Sequence, residues 1–108
     1  MSEIDERLPK HLILKKRNEI REIFESGKFE RRKHVYIYTL PSESEMVGFF
    51  VNRRCGNAVK RNQIKRWLRE VYRKNKNHFQ GYKVILYVKK PISYTYHDLV
   101  VDILEKPL

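Results

Sequence analysis

The sequence predicts one α+β domain, a sandwich of helices packed on a sheet, formed by residues 1–108. Its 108 residues suffice for one hydrophobic core and are too few for two. Apolar residues make up 41% of the chain, enough to form that core although 34% of the residues are charged. The apolar pattern runs helix, strands, helix, strand, helix, without an internal repeat or a low-complexity linker. This order favours the α+β class.

The first half of the chain predicts a short helix followed by strands. Apolar residues recur at helical spacing from Lys16 until Gly27 ends the pattern. The segment His34–Leu40 is rich in β-branched and aromatic residues and predicts a strand, and Met46–Asn52 predicts a second. Polar turn residues separate these two strands, which can pair as a hairpin. A weaker strand is predicted around Phe29–Arg32, where charged residues dominate.

The second half of the chain predicts the longest helix, a buried strand and a closing helix. Apolar residues at helical intervals predict a helix over Ala58–Asn75. The segment Lys83–Val88 is apolar on both faces, as expected of a central strand covered on both sides, and Lys89-Lys90-Pro91 ends it. Thr95 and Asp98 have the spacing of a capping box, with aspartate in place of glutamate, and predict the start of the last helix.

The charge and the cysteine count restrict the class of protein. A net charge of +11 points to a polyanionic partner, of which nucleic acid is the leading candidate. Residues Met1–Glu6 include three acids and no apolar run, so we expect neither a signal nor a transit peptide. No apolar stretch reaches transmembrane length. The single Cys55 excludes an internal disulfide, fits a reducing cytoplasm and is expected to be a small buried hydrophobe.

Nearly all of the excess charge lies in one segment. Between Asn52 and Lys76 there are ten basic residues and one acid, Glu70, which account for nine of the eleven net positive charges. On a helical wheel, six of these cations and Asn62 fall within an arc of about 140°. The six are Arg61, Lys65, Arg66, Arg69, Arg73 and Lys76.

The opposite side of this helix carries Ile64, Trp67 and Leu68 at core spacing. Because Glu70 falls outside the basic arc, we expect like charges four residues apart to stay unrelieved, at about 0.2–0.5 kcal/mol per pair. Arginine forks suit phosphate oxygens, so the arc predicts contacts with a nucleic-acid backbone. A merely solvated face is the alternative, and a membrane-surface helix is disfavoured because its apolar side is needed in the core.

The run from Val47 to Tyr72 closely resembles the bacterial ribonuclease P protein component. The resemblance is carried by Arg61-Asn62, Lys65-Arg66 and Arg69-Glu70, preceded by Gly56-Asn57-Ala58-Val59. It extends over nearly the whole chain through Leu8-Pro9-Lys10, the helix that ends at Phe24 and Gly27, the strand that ends in Tyr38-Thr39-Leu40, and Thr95-Tyr96. The sequence departs from the family at Gln63, where a basic residue is common, and at Ile20, where an aromatic residue is frequent.

The resemblance implies a protein that binds ribonuclease P RNA and assists removal of the 5′ leader from precursor tRNA in the cytoplasm. The RNA then performs the hydrolysis with Mg²⁺ bound mainly by itself, with no dedicated metal site on the protein and no obligate protein partner. A left-handed β-α-β crossover around the long helix is also implied, against the general right-handed rule. The implied RNA-binding residues are Arg53, Arg54, Lys60, Arg61, Asn62, Lys65, Arg66, Arg69 and Arg73.

A second surface is expected on one face of the sheet. In the strand His34–Leu40, Tyr36 and Tyr38 point to the face opposite Val35 and Ile37. The resemblance implies a cleft between the first helix and the sheet for the single-stranded leader. Unpaired bases stack on aromatic rings with little sequence preference. The implied cleft residues are Phe24, Tyr36, Tyr38 and Phe50.

Several of these assignments have alternatives. Phe24 and Phe50 can equally be core residues, and Arg53 and Arg54 can hold leader phosphates or be ordinary loop charges. The four histidines lack metal-ligand spacing, and no carboxylate pair adjoins a plausible nucleophile, so we expect no catalytic residue on the protein. A stand-alone or ribosome-associated RNA-binding protein and a protein-only nuclease remain as competing interpretations.

Overall fold

The computed structural model describes residues 8–90 and 95–108. Within them lie three α-helices, α1 (Arg17–Ser26), α2 (Ala58–Lys74) and α3 (Tyr96–Leu104). The four strands are β1 (Lys28–Arg31), β2 (Tyr36–Pro41), β3 (Met46–Val51) and β4 (Tyr82–Val88). Every predicted helix and strand is present within about two residues of its expected bounds. The acidic N-terminal residues and the expected strand stop at Pro91 lie outside the described residues.

The strands form one mixed sheet in the order β1-β2-β4-β3. The predicted hairpin between β2 and β3 is therefore wrong, because β4 lies between them, antiparallel to β2 and parallel to β3. Val84, Ile85 and Leu86 of β4 are all fully buried, because in this central position both faces of the strand are covered. The chain connects the parallel strands β3 and β4 through α2. The left-handed sense of this crossover stays a prediction.

Helices cover both faces of the sheet, which confirms the predicted sandwich. On one face, α2 and α3 pack on Val35, Val47 and Leu86, which are at most 1% exposed. On the other face, Ile23 of α1 packs on Ile85, and this smaller cluster leaves part of the sheet uncovered. Thr95 and Asp98 form the predicted capping box at the start of α3, with both reciprocal hydrogen bonds present. Hydrogen bonding from the Thr95 backbone lowers the pKa of Asp98.

A buried polar latch ties α3 to the turn between β1 and β2. The Asp102 carboxylate accepts hydrogen bonds from the backbone N–H groups of Lys33, His34 and Val35 at 2.8, 2.8 and 2.9 Å. Arg32, only 5% exposed, donates to the carbonyls of Asp102 and Ile103 at 2.8 and 3.0 Å. The latch therefore satisfies the free carbonyls at the end of α3 and holds the chain just before β2.

Gly27, between α1 and β1, has no room for a side chain. A Cβ atom there would lie 2.4 Å from the carbonyl oxygen of Ile23 and 2.9 Å from that of Thr39. We expect Gly27→Ala to lower the free energy of unfolding by about 1–3 kcal/mol, since the backbone must shift. Urea denaturation would measure this loss, with the exposed Ser26→Ala as control. Equal stability of the two variants would contradict the prediction.

Candidate nucleic-acid interface

Two asparagines organise the chain between β3 and α2. The Asn52 side chain accepts a hydrogen bond from the Arg54 N–H at 2.9 Å, and Asn57 caps α2 by accepting from the Lys60 N–H at 2.9 Å. Gly56 between them has φ 128°, a conformation that favours glycine. This lead-in fixes where α2 begins and which way its first turn faces.

The apolar side of α2 is buried, as predicted, and its basic side faces outward. Ile64, Leu68 and Val71 are at most 3% exposed, and Trp67 packs against the same core. The exposed residues on the other side include Lys60, Asn62, Lys65, Arg66 and Arg69, while Arg61 is half-buried. We call Arg61, Lys65, Arg66 and Arg69 the basic face of α2.

Two features of the predicted basic arc need correction. Glu70 accepts hydrogen bonds from Arg73 at 3.1 and 2.5 Å, and Lys74 lies 3.4 Å from the same carboxylate. The expectation that no carboxylate relieves the arc is therefore wrong at Arg73, because residues three apart on a helix are neighbours. The hydrogen bond from Arg73 holds the pKa of Glu70 below its usual range. Lys76 lies in a 3₁₀ turn (Lys76–Phe79) beyond the end of α2, so the helical arc does not reach it.

The turn that joins the sheet to α2 carries two further cations. Arg53 and Arg54 are exposed in a 3₁₀ turn (Arg53–Cys55) directly after β3. Cys55 is 1% exposed, as predicted, with its sulfur 3.6 Å from the Val88 carbonyl oxygen. Burial raises the pKa of the Cys55 thiol. The buried cysteine anchors the turn, which leaves both arginines on the surface.

The four predicted cleft residues come together on the sheet face that α1 covers only in part. The ring of Phe24 in α1 lies 4.7 Å from that of Tyr38 and 6.1 Å from that of Phe50. Phe24 is 39% exposed, so it is not a core residue. Tyr36 and Tyr38 are half-buried on the face opposite Ile37, as the alternation predicts. Burial raises the pKa of Tyr38.

Four residues that the sequence did not single out extend this aromatic face. Phe29, 49% exposed, lies 5.3 Å from Tyr36 and 5.0 Å from Tyr38, measured between ring centroids. The Tyr87 ring lies 6.3 Å from Tyr36. The Arg31 guanidinium and the Lys89 ammonium lie 5.9 and 5.8 Å from the centre of the Tyr36 ring.

These additional residues arrive through strand pairing. Phe29 is opposite Tyr38, and Arg31 is opposite Tyr36, in the β1/β2 register. Their alternation in the weak first strand was the only local signal of a shared face. We use the term aromatic face for the rings of Phe24, Phe29, Tyr36, Tyr38, Phe50 and Tyr87.

The aromatic face and the start of α2 are joined by a hydrogen bond. The Asn52 side chain donates to the Tyr87 hydroxyl at 3.0 Å while it accepts from the Arg54 N–H. Gly48 lies beneath Phe50, where a Cβ atom would be 3.0 Å from the ring. A single extended ligand can therefore contact the clustered rings, the two arginines of the turn and then the helix.

The described residues contain no group of three or more histidine, cysteine, aspartate or glutamate side chains that could hold a metal ion. None of the helices in ranges 8–90 and 95–108 is both long and apolar enough to cross a bilayer.

Comparisons with known proteins show which family this chain resembles. The family model for Ribonuclease P matches residues 8–107. The Ribonuclease P protein component of Natranaerobius thermophilus is 41% identical over 78 residues, which cover 69% of this chain and 68% of that protein. The Bacillus cereus component is 33% identical over 95 residues, covering 83% of this chain and 82% of its own.

Solved structures show the same fold. The Staphylococcus aureus RNase P protein superposes with a TM-score of 0.80 at 25% identity, covering 89% of this chain and 92% of its own. The Thermotoga maritima RNase P protein gives a TM-score of 0.77 at 25% identity, with 85% and 94% covered. This chain therefore belongs to the bacterial ribonuclease P protein family, the protein component of the tRNA-processing ribonucleoprotein.

Proposed function

We propose that the basic face of α2 binds the catalytic RNA of ribonuclease P and that the aromatic face holds the 5′ leader of precursor tRNA. The observation that supports this most is the position of Arg53 and Arg54, between an exposed cationic helix and a set of exposed rings. Phosphate contacts bind and orient nucleic acid without reading its sequence. Such a surface suits a protein that must accept many different tRNA precursors.

Hydrolysis of the phosphodiester belongs, in this proposal, to the RNA and its Mg²⁺ ions. Magnesium keeps several of its waters and binds phosphate oxygens readily, and the RNA and its substrate supply many of these. The protein then contributes cations that offset repulsion between the RNA and its substrate, so less Mg²⁺ is needed. We place this activity in the cytoplasm, where precursor tRNA is made, and it requires no other protein.

The leader is proposed to lie as a single strand over the aromatic face. Phe24 and Phe29 are partly exposed and leave ring surface for stacking, worth about 1–3 kcal/mol per base. Arg31 and Lys89 beside Tyr36 offer charges to the phosphates at one end of this face. Arg53 and Arg54 lie on the side of the face that leads to α2.

Cleavage of precursor tRNA at low Mg²⁺ tests the proposal. A bacterial ribonuclease P RNA is assayed with and without this protein, beside a protein-only control. Stimulation that requires the RNA is expected. Tight RNA binding without stimulation would support a stand-alone RNA-binding protein instead, and cleavage by the protein alone would indicate a protein-only nuclease.

Alanine at Tyr36 or Tyr38 is expected to weaken precursor-tRNA binding by about 1–3 kcal/mol per lost stacked base. The effect should disappear when the leader is truncated, because the mature tRNA does not reach the aromatic face. Affinity of the RNA–protein complex for the two substrates measures this difference. Tyr82→Ala, a tyrosine packed against the core on the other face, serves as control. A loss that persists without the leader would refute the assignment.

A further inference from the structure

A groove at the carboxyl end of α2 lies outside the surfaces described above. It has a volume of about 670 Å³ and is lined by cationic, histidine and asparagine side chains with one apolar residue, Leu104. Its cations are Arg73 and Lys74 at the end of α2 and Lys76 in the following turn. No carboxylate is among its lining residues, so the groove is suited to an anion.

The cations of the groove differ in how far they are already neutralised. Arg73 and Lys74 share the Glu70 carboxylate, and the Lys74 ammonium also lies 6.0 Å from the centre of the Tyr96 ring. Lys76 is exposed, and no ion pair is assigned to it within the described ranges. Three positive charges therefore face one negative charge here, which leaves the groove net positive.

His78 lines the groove with a half-buried imidazole. Its Nε2 atom is buried and forms no hydrogen bond with any described residue. Burial lowers the pKa of His78, the nearby Arg32 guanidinium lowers it further, and a hydrogen bond with the Ile103 backbone opposes both. The imidazole shares the groove with the three cations, so an anion bound there would change its NMR signals.

We propose that this groove is a second phosphate-binding site, which holds the backbone of RNA continuing past the basic face of α2. Arg73 links the two, since it belongs to the helix and also lines the groove. Phosphate is favoured over an acidic peptide because the groove continues the basic side of α2. The choice of RNA as the source of the phosphate rests on the proposed function; the anion site itself does not.

Titration with inorganic pyrophosphate tests the anion site without RNA. We expect saturable changes in the imidazole NMR signals of His78, identified by their loss in His78→Gln. The double variant Lys74→Ala/Lys76→Ala should weaken this binding at least about 5-fold, because two of the three cations that face the anion are lost. The variant Lys65→Ala/Arg66→Ala, with equal charge loss on the basic face of α2, should leave it nearly unchanged. Absence of saturation, or equal weakening in both variants, would overturn the site.

Binding of ribonuclease P RNA tests what occupies the groove. At 0.1 M salt, Lys74→Ala/Lys76→Ala is expected to weaken binding about 30-fold and to make the salt slope shallower by about 1.4–1.8. Lys15→Ala/Lys16→Ala, two exposed lysines before α1, is the charge-matched control. Equal effects in the two variants would overturn the proposed site for RNA but leave the proposed function standing. Failure of the unmodified protein to bind RNA would instead refute the proposed function, and the pyrophosphate result would still decide the groove.

Discussion

A variant with alanine at all four positions of the basic face of α2 is expected to bind ribonuclease P RNA about 1,000-fold more weakly at 0.1 M salt. Each neutralised phosphate releases condensed counterions, which contributes roughly a factor of six per contact at this salt concentration. The apolar side of α2 is buried and remains unchanged, so the helix should persist. The loss would therefore report on charge and not on folding.

Salt titration of RNA binding measures the effect. Each single replacement should make the salt slope shallower by about 0.7–0.9, and the fourfold variant by about four times as much. The control removes four exposed cations of the α1 region, namely Lys15, Lys16, Arg17 and Arg21. Ribonuclease P RNA is used without precursor tRNA, so no leader is present to contact the aromatic face. Unchanged binding in all four single variants would contradict the assignment of the basic face.

The same variants should not be less stable than the unmodified protein. The like-charge pairs Arg61/Lys65 and Lys65/Arg69 cost about 0.2–0.5 kcal/mol each in the free protein. Their removal should raise the free energy of unfolding slightly, which urea denaturation can detect. A basic helix face that costs stability while unbound is consistent with selection for binding.

Asp102→Ala is expected to lower the free energy of unfolding by about 3–5 kcal/mol. The change leaves the N–H groups of Lys33, His34 and Val35 without their acceptor, in the turn that follows the buried Arg32. Few single substitutions in this protein should lower the free energy of unfolding more. Most other buried side chains are apolar, and their removal leaves no hydrogen-bonding group without a partner.

Urea denaturation followed by circular dichroism measures this loss. Asp102→Asn keeps one acceptor oxygen, so it should lose roughly half as much free energy of unfolding as Asp102→Ala. Its stability therefore remains measurable if the alanine variant does not fold. Glu105→Ala, an exposed acid three residues later, is the control and should change little. Similar stability for the Asp102 and Glu105 variants would show that the latch is not needed.

The two sides of α2 could be predicted from the sequence because they depend on local geometry. Side chains three and four residues apart share a side of any helix, whatever the helix packs against. The outward face of Tyr36 and Tyr38 followed from strand alternation, and the capping box at Thr95 from spacing alone. The ion pair between Glu70 and Arg73 is local as well, but the sequence did not predict it. A helical wheel shows only the direction of each Cβ atom and ignores the reach of long side chains.

Tertiary structure alone decided which strands are neighbours and which distant residues meet. The apolar pattern of β4 predicted a central strand, but which two strands it separates depends on contacts between distant segments, which no local pattern encodes. Pairing of β1 with β2 brought Phe29 and Arg31 to the aromatic face. Packing of α3 against the sheet brought Asp102 to Arg32, 70 residues away. The sequence by itself determined the composition of each face; the fold determined which faces adjoin, because contacts between distant segments depend on the packing of the whole chain.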